Sequence, residues 1–292
     1  MDTQANPDGR HRSRLSRARQ GRIVMTPLKR RALTAAFLGR ITRGSHFDPL
    51  FASVKTRNQC LRRLTDFDYL ERVSVPTTPF GAPLYRVTRT GAQIASVVLA
   101  DEGLDLDDDE IRAIRRRPLL SDHALRTADV YAALCLRKPP DCGANVALFL
   151  PEPLVRVEYE VRVGSGQTWR RRCFAPDGGI VIEAGGETYA IALEIDMATV
   201  EMERFAAKCQ SFAHVASAGL KLGRAGLAPS ALAVVTTSEK RLVRLKSVTE
   251  RQKCPPIVFG TFDEVARDGI GIRWAVAGSD RRATLAEIAG EI

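Results

Sequence analysis

The chain has few of the residue patterns that mark metal-binding, secreted or membrane proteins. Its six cysteines include no Cys-x-x-Cys pair and its four histidines are dispersed, so neither set has the spacing of a zinc site. Several cysteines lie in apolar helical contexts and no signal peptide precedes them, which argues against disulfide bonds. No apolar run approaches the roughly 18 residues that a membrane helix needs. We therefore expect a cytoplasmic protein with no membrane contact.

Two further absences narrow the function. No internal repeat is visible, and the Gly-rich run GSGQT at 164–168 lacks the downstream lysine of a phosphate-binding P-loop. What the chain does have is an uneven distribution of charge. The formal net charge is +10, and residues 1–90 hold 18 Lys and Arg against 6 Asp and Glu, so this third of the chain carries the whole excess. A concentrated positive field suits a polyanion, most simply nucleic acid.

The N-terminal third divides into an arm and a folded unit. Residues 1–22 carry six arginines and no hydrophobic periodicity, which predicts a disordered basic arm. Apolar spacing then predicts a helix from Pro27, a short segment near 47–51 and a third helix after the capping residue Ser53. Two strand-like runs around a Pro- and Gly-rich loop at 76–82 predict a hairpin, and a further helix closes the unit. This order predicts a winged helix-turn-helix domain over residues 23–100.

The third helix of this predicted domain has an apolar and a basic face. Val54, Cys60 and Leu64 share the apolar face. Arg and Asn side chains can bond base edges, whereas Lys and Arg neutralise phosphates, so the basic face favours duplex DNA over the alternative of a protein-interaction module. The predicted DNA contacts, on this helix and on the hairpin, are Lys55, Arg57, Asn58, Arg62, Arg63 and Arg86.

The rest of the chain alternates between helical and strand-like segments. We expect a helical linker over 101–118, an α/β domain with a mixed sheet over 119–280 and a C-terminal tail over 281–292. A helix after Ser121, a period-two strand at 154–163, two strands around the Gly185-Gly186 turn, a helix near 198–218 and a buried strand follow in that order. The order α, β, β, β, α, β, with acids on the second and third strands, is the core pattern of PD-(D/E)xK nucleases.

Two carboxylates stand at one end of the predicted hairpin. Asp177 precedes its first strand and Glu194 ends its second, so the two acids converge if the strands are antiparallel neighbours. Carboxylates suit Mg²⁺ or Mn²⁺, which polarises a scissile phosphate and lowers the pKa of an attacking water. The predicted metal ligands are Asp177, Glu194 and Asp196.

The third group of the nuclease motif is missing. Where that motif has a lysine two residues after the glutamate, this chain has Asp196, which cannot replace an ammonium group. Lys208, on the following helix, could stand in for it and offset charge that develops on the phosphate, or could instead pair with acids on a solvated face. The predicted catalytic set is Asp177, Glu194 and Lys208, and two interpretations stay open: a metal-dependent nickase or endonuclease, and a degenerate domain that grips DNA without cutting it.

With both domains in view, the chain resembles the replication-relaxation family of plasmids and integrative elements. The resemblance rests on LYRVTRTGAQIA at 84–95, DHALRTADVYAAL at 122–134 and, most specifically, the block at 171–212 that contains PDGGIVIEAGGETYAIALEID. One departure is EIDMAT at 194–199, where an EVDRGT-like run is more usual. The resemblance implies that the site candidates are Asp177, Glu194, Asp196, Thr199 and Lys208.

The resemblance also implies a cellular role and partners. We expect a protein of plasmid or mobile-element replication or DNA relaxation that binds double-stranded DNA. Further expected partners are a second copy of the chain and plasmid replication or transfer proteins. A transcriptional regulator without catalysis and a protein-only adaptor remain alternatives to this role.

Overall fold

The computed structural model describes residues 23–73, 83–116, 121–137, 143–163, 168–249 and 255–291. The predicted basic arm at 1–22 and the predicted hairpin loop at 76–82 lie outside these ranges. Within them, no helix combines the length and apolar character needed to cross a membrane. The helices are α1 Pro27–Leu38, α2 Val54–Asp66, α3 Arg89–Asp101, α4 Asp108–Arg115, α5 Asp122–Tyr131, α6 Glu152–Val155, α7 Met202–Ser217, α8 Glu239–Thr249, α9 Phe262–Asp268 and α10 Leu285–Ala289. The strands are β1 Thr42–Arg43, β2 Leu70–Val73, β3 Leu84–Val87, β4 Ala144–Pro151, β5 Val157–Val163, β6 Thr168–Phe174, β7 Gly178–Ala184, β8 Glu187–Asp196, β9 Pro229–Thr236, β10 Ile257–Thr261, β11 Trp274–Val276 and β12 Arg282–Ala283.

The N-terminal third folds in the predicted element order. A 3₁₀ helix at Gly44–Leu50 separates α1 from α2, and α2 is followed by β2, β3 and α3. Strand β3 lies between β1 and β2 in a three-stranded antiparallel sheet. Ser53 caps α2, because its Oγ accepts a hydrogen bond from the amide of Thr56 at 3.2 Å. The prediction for Val54 is wrong: its side chain is 56% exposed, because the first turn of α2 extends past the core that buries Cys60, Leu61 and Leu64.

A glycine lets α3 close against the sheet of this unit. Thr88 caps α3 by accepting a hydrogen bond from the amide of Gly91 at 3.0 Å. A Cβ atom at Gly91 would lie 2.0 Å from the backbone oxygen of Tyr69, next to β2. The helix therefore approaches the chain more closely here than any other residue would allow.

The predicted linker is a packed connection. Helix α4 begins with a capping box between Asp107 and Glu110, and Ile114 is buried in the core. Arg224 donates two hydrogen bonds to the Glu110 carboxylate, which ties α4 to the α/β part of the chain. A second tie joins the N-terminal unit to α5, where Asp129 accepts a hydrogen bond from Arg43 Nε at 3.1 Å and pairs with His46 Nε2 at 2.8 Å.

The α/β part is built on a seven-stranded sheet of order β12-β11-β10-β9-β8-β7-β4. Strands β4, β7 and β8 are antiparallel neighbours, whereas β8, β9 and β10 run parallel. With α5 before β4 and α7 between β8 and β9, the core has the order α, β, β, β, α, β. The predicted fold class, an α/β domain with a mixed sheet, is confirmed. Most of β8 and β9 and all of β10 are buried, as their continuous apolar runs require.

The identity of the first core strand differs from the prediction. The strand that pairs with β7 is β4, Ala144–Pro151, and not the period-two segment at 154–163. That segment forms β5, which pairs with β6 in a separate two-stranded sheet. The reason lies in the sequence pattern: β4 is a mostly apolar run whose second half is buried, whereas strict alternation with charged residues belongs to a strand with one exposed face.

The predicted C-terminal tail is also corrected. Residues 282–289 form β12 and α10, and Leu285 and Ile288 are buried. The threonine before α10 and Glu287 form a capping box, with the Glu287 amide donating to Thr284 Oγ1 at 3.3 Å. The run T-L-A-E followed by apolar residues is the signal for this helix.

Candidate functional site

The two predicted carboxylates meet at the place where β7 begins and β8 ends. The register pairs Gly178 with Leu193, so one step further out Asp177 stands opposite Glu194. The carboxylate of Asp177 accepts a hydrogen bond from the backbone amide of Ile195 at 2.8 Å, which fixes its position across the strands. The structure thus brings Asp177 and Glu194 together at one end of the β7–β8 pair.

Asp177 has a partner that the sequence pattern did not identify. His123, in the first turn of α5, places Nε2 at 3.3 Å from Asp177 Oδ2. This hydrogen bond raises the pKa of His123. Burial works to raise the pKa of Asp177, but the hydrogen bond from His123 and the nearby charge of Lys208 outweigh it and hold that pKa below its usual range. Asp177 is therefore an ionised carboxylate at neutral pH.

The pKa of Glu194 is shifted in the opposite direction. Burial and the neighbouring charge of Asp177 raise the pKa of Glu194 to about 8, against the lowering effect of Lys208. The ammonium group of Lys208, on α7, lies in an ion pair against Glu194 Oε2, yet this buried oxygen makes no well-aligned hydrogen bond within the described part of the chain. The predicted stand-in lysine thus lies beside the second carboxylate and not on a solvated face.

Asp196 does not join this pair. It is 2% exposed, and its two oxygens accept hydrogen bonds from Arg241 Nε and Nη2, both at 2.9 Å. Thr236 Oγ1 donates a third bond at 2.7 Å, and Arg241 also donates to the backbone oxygen of Val200 at 2.7 Å. Among the described residues no group of three or more His, Cys, Asp or Glu side chains converges as a metal site. We therefore correct the expected ligand set by removing Asp196, because an arginine from α8 occupies both of its oxygens.

Asp177 and Glu194 are the two predicted metal ligands that remain. Asp177 and Glu194 are hard oxygen ligands of the kind that Mg²⁺ or Mn²⁺ takes, and Glu194 Oε2 is a buried oxygen that contacts the ammonium group of Lys208. Mg²⁺ is commonly held by one or two carboxylates, with waters and substrate phosphates completing its shell. The residues present fit such a two-carboxylate site. Thr199, the other family candidate, is exposed in the loop after β8.

A cavity of about 370 Å³ opens beside this cluster. His123 and Asp177 line one side, and Arg40, from the turn after α1, lines another. Arg40 is held there by hydrogen bonds to the backbone oxygens of Ile114 at 3.2 Å and Arg116 at 3.3 Å. The N-terminal unit therefore forms part of the wall next to the paired carboxylates.

The outer face of α2 carries four of the six predicted DNA-contact residues in exposed positions, namely Lys55, Asn58, Arg62 and Arg63. Within the described part of the chain, Arg62 makes one long ion pair, with Asp66 at 3.7 Å across one helical turn. Arg57 and Arg86 are placed differently from the expectation. Arg57 is held in an ion pair with Asp48 and Arg86 in one with Glu71, and the side chain of each is largely buried.

A comparison with protein families gives a match to replication-relaxation over residues 28–231. The chain belongs to this family. The replication-relaxation match spans the N-terminal unit, the paired carboxylates and Lys208, and it ends within β9, ahead of Arg241. No curated protein matches the chain.

Solved structures similar to this replication-relaxation protein include restriction endonuclease FokI, alone and bound to DNA. The two FokI chains are 12% and 11% identical, with TM-scores of 0.27 and 0.24. Each match covers 82% of this chain, but only 42% and 43% of the FokI chains, so the protein spans less than half of their length.

Proposed function

We propose that this replication-relaxation protein binds duplex DNA through its N-terminal unit, as a winged helix, in the replication or relaxation of a plasmid or mobile element in the cytoplasm. The observation that carries the proposal is the exposed face of α2, with Lys55, Arg62 and Arg63 beside Asn58. Lysine and arginine at these positions would neutralise phosphates, and Asn58 has the side chain that pairs with adenine edges in a major groove.

The hairpin adds one exposed cation that the prediction did not include. Arg72 of β2 is exposed, and its guanidinium lies 5.8 Å from the centre of the Tyr85 ring. It takes the place of Arg86, whose ion pair with Glu71 braces the two strands. A cation on the hairpin beside a basic helix is the arrangement in which a wing contacts backbone phosphates.

Salt-dependent binding tests the proposal. The affinity of the full-length protein for a labelled DNA duplex is measured by fluorescence anisotropy over a range of salt concentrations. We expect log K to fall steeply with log salt, and Arg62→Glu with Arg63→Glu to weaken binding and to lower the slope by about 1 for each phosphate that the protein no longer neutralises. The control is Lys240→Glu with Arg244→Glu, an equal charge reversal at exposed residues of α8. If both pairs of changes weaken DNA binding equally, the effect depends on net charge alone, and the proposal is contradicted.

The paired carboxylates favour a second candidate, a metal-dependent nickase or endonuclease. A bound Mg²⁺ or Mn²⁺ would polarise the phosphodiester and lower the pKa of an attacking water. Asp177 and Glu194 would hold the metal, His123 would orient Asp177 through their hydrogen bond, and Lys208 would offset negative charge on the phosphate. The Lys208–Glu194 contact would then have to open when the metal binds.

Conversion of supercoiled plasmid to open circles tests this candidate. With Mg²⁺ or Mn²⁺ present, we expect nicking by the wild type and a loss of nicking in Asp177→Asn and in Glu194→Gln. Glu183→Gln, a change at an exposed residue of β7, is the matched control and should nick normally. If neither metal supports cleavage of supercoiled, linear or single-stranded DNA, the nuclease candidate fails, while the DNA-binding proposal stands or falls on its own assay.

A further inference from the structure

A groove of about 360 Å³ lies between α3 and α4. None of the residues that line it belongs to α2 or to the pair of Asp177 and Glu194. The lining residues are Arg89, Gln93, Asp108, Ile111, Arg112 and Arg115. Half of these side chains are arginines, so the chemistry of this groove differs from that of the cavity beside Asp177.

The spacing along each helix explains why the arginines face one space. Arg89 and Gln93 are four residues apart on α3, which places them one turn apart on the same face. On α4, the lining residues stand at positions 108, 111, 112 and 115, which is the i, i+3, i+4, i+7 pattern of a single helical face. The groove is therefore formed by one face of each helix.

Two of the three arginines have no counterion. Arg112 forms an ion pair with Asp109, whereas Arg89 and Arg115 form no ion pair or side-chain hydrogen bond with any residue in the described ranges. All three arginines are exposed, so their donors are accessible from solvent. Asp108 is the one acidic residue of the lining, which therefore carries a net charge of +2.

This arrangement is suited to an anion. Arg89 and Arg115 come from different helices, yet both face the same groove, where like charges repel each other. An anion between them would replace this repulsion with two attractions. The planar guanidinium presents its donors in a fork that matches the oxygens of a phosphate or a carboxylate.

We propose that the α3–α4 groove is a phosphate-binding site, in which Arg89 and Arg115 hold phosphate oxygens and Gln93 donates a further hydrogen bond. Phosphate is favoured over a single carboxylate because two linked phosphates carry at least two negative charges, which match the net charge of the lining. The volume lies within the range of roughly 300–1,000 Å³ that is usual for ligand pockets. Two sources share this chemistry, namely the backbone of bound DNA and a free nucleotide. The site does not depend on the proposed function.

Thermal unfolding of the full-length protein with inorganic pyrophosphate tests the site. We expect pyrophosphate to raise the Tm of the wild type and to leave the Tm of Arg89→Glu with Arg115→Glu unchanged. Asp108→Asn should bind pyrophosphate about 3-fold more tightly, because it removes the negative charge of the lining. Such a gain in affinity does not arise from a damaged fold. The control is Asp105→Asn, which removes an equal charge at an exposed position outside the groove and should bind as the wild type does.

Duplex binding identifies the source of the phosphate. If the ligand is the DNA backbone, Arg89→Glu with Arg115→Glu should lower the salt slope of duplex binding by about 1 for each phosphate that is no longer neutralised. If the ligand is a free nucleotide, that slope should stay unchanged, and ATP should raise the Tm of the wild type as pyrophosphate does. Either result supports the site.

The surface of α2 is tested separately. Arg62→Glu with Arg63→Glu should weaken duplex binding and leave the stabilisation by pyrophosphate intact, so a failure of the proposed function is distinguishable from a failure of this site. The inference is overturned if pyrophosphate does not stabilise the wild type, or if it stabilises Arg89→Glu with Arg115→Glu equally. Equal stabilisation by an oligoglutamate peptide would also overturn it, because the groove would then be a site for acidic peptides.

Discussion

Replacing Arg241 by methionine should destabilise the fold far more than the loss of a surface arginine. Arg241 forms a two-pronged pair with Asp196, at 2.9 Å for each hydrogen bond, and both side chains are almost completely buried. Methionine keeps much of the volume of the side chain but removes all of its donors. Asp196 then keeps only the bond from Thr236 Oγ1 and remains a buried charge without a counterion.

The magnitude follows from that uncompensated charge. Removing one partner of a buried ion pair costs about 3–5 kcal/mol, a large part of the 5–15 kcal/mol that is typical for the stability of a domain. Removing both charges should cost less than removing Arg241 alone, because a neutral amide at position 196 can still accept the bond from Thr236. We expect a coupling free energy of about 2 kcal/mol between Asp196→Asn and Arg241→Met.

Urea unfolding of the wild type, the two single variants and the double variant measures this cycle, with Arg244→Met as the control at an exposed position of the same helix. A loss below about 1 kcal/mol for Arg241→Met would show that the pair behaves as an exposed ion pair and not as a buried one. If the changes in unfolding free energy of the two single variants are strictly additive, the reasoning is also refuted. Asp196 would then again be a candidate ligand-binding residue.

Three further changes test separate parts of the fold by urea unfolding. Gly91→Ala should cost about 1–3 kcal/mol, because the added Cβ meets a backbone oxygen, whereas Gln93→Ala on the same helix should be near neutral. Leu285→Ala should cost about 2–5 kcal/mol and Glu291→Ala almost nothing, since α10 is part of the core; equal effects would restore the idea of a tail. Burial works to raise the pKa of Asp129, but hydrogen bonds and charges from His46 and Arg43 lower it below its usual value. The ionised carboxylate therefore stabilises the fold fully above its pKa in the unfolded chain, near 4. This stabilisation is lost as the pH falls through the lower pKa of the folded state. Asp129→Asn should therefore flatten the acid-side loss of stability, and an unchanged pH profile would contradict this.

Short-range sequence patterns were sufficient to predict the centre of the α/β domain. The β7–β8 hairpin follows from two apolar runs around Gly185-Gly186, and both glycines adopt the positive φ that such a turn needs. The convergence of Asp177 and Glu194 follows from that hairpin alone. Long-range pairing was less accessible: the alternating segment at 154–163 is predicted as the first core strand, but its charged face indicates a hairpin with one side exposed.

Side-chain partners between distant elements could not be predicted from spacing. His123 reaches Asp177 across 54 positions and Arg241 reaches Asp196 across 45, and neither helix carries a local pattern that specifies its partner. The apolar residues of α5 and α8 direct each helix onto the sheet, and only the resulting packing decides which polar residue beside them meets a carboxylate.

This distinction changes the interpretation of the missing lysine. Glu194 and Asp196 point to one side of β8, two residues apart, yet one pairs with a lysine from α7 and the other with an arginine from α8. A lysine at position 196 would face Arg241 in a buried site, where two cations repel each other. The presence of Arg241 therefore requires an acid at 196. Lys208 is the cation that contacts Glu194, so the departure at 196 is a rearrangement of charges around the carboxylates and does not by itself argue that the site has decayed.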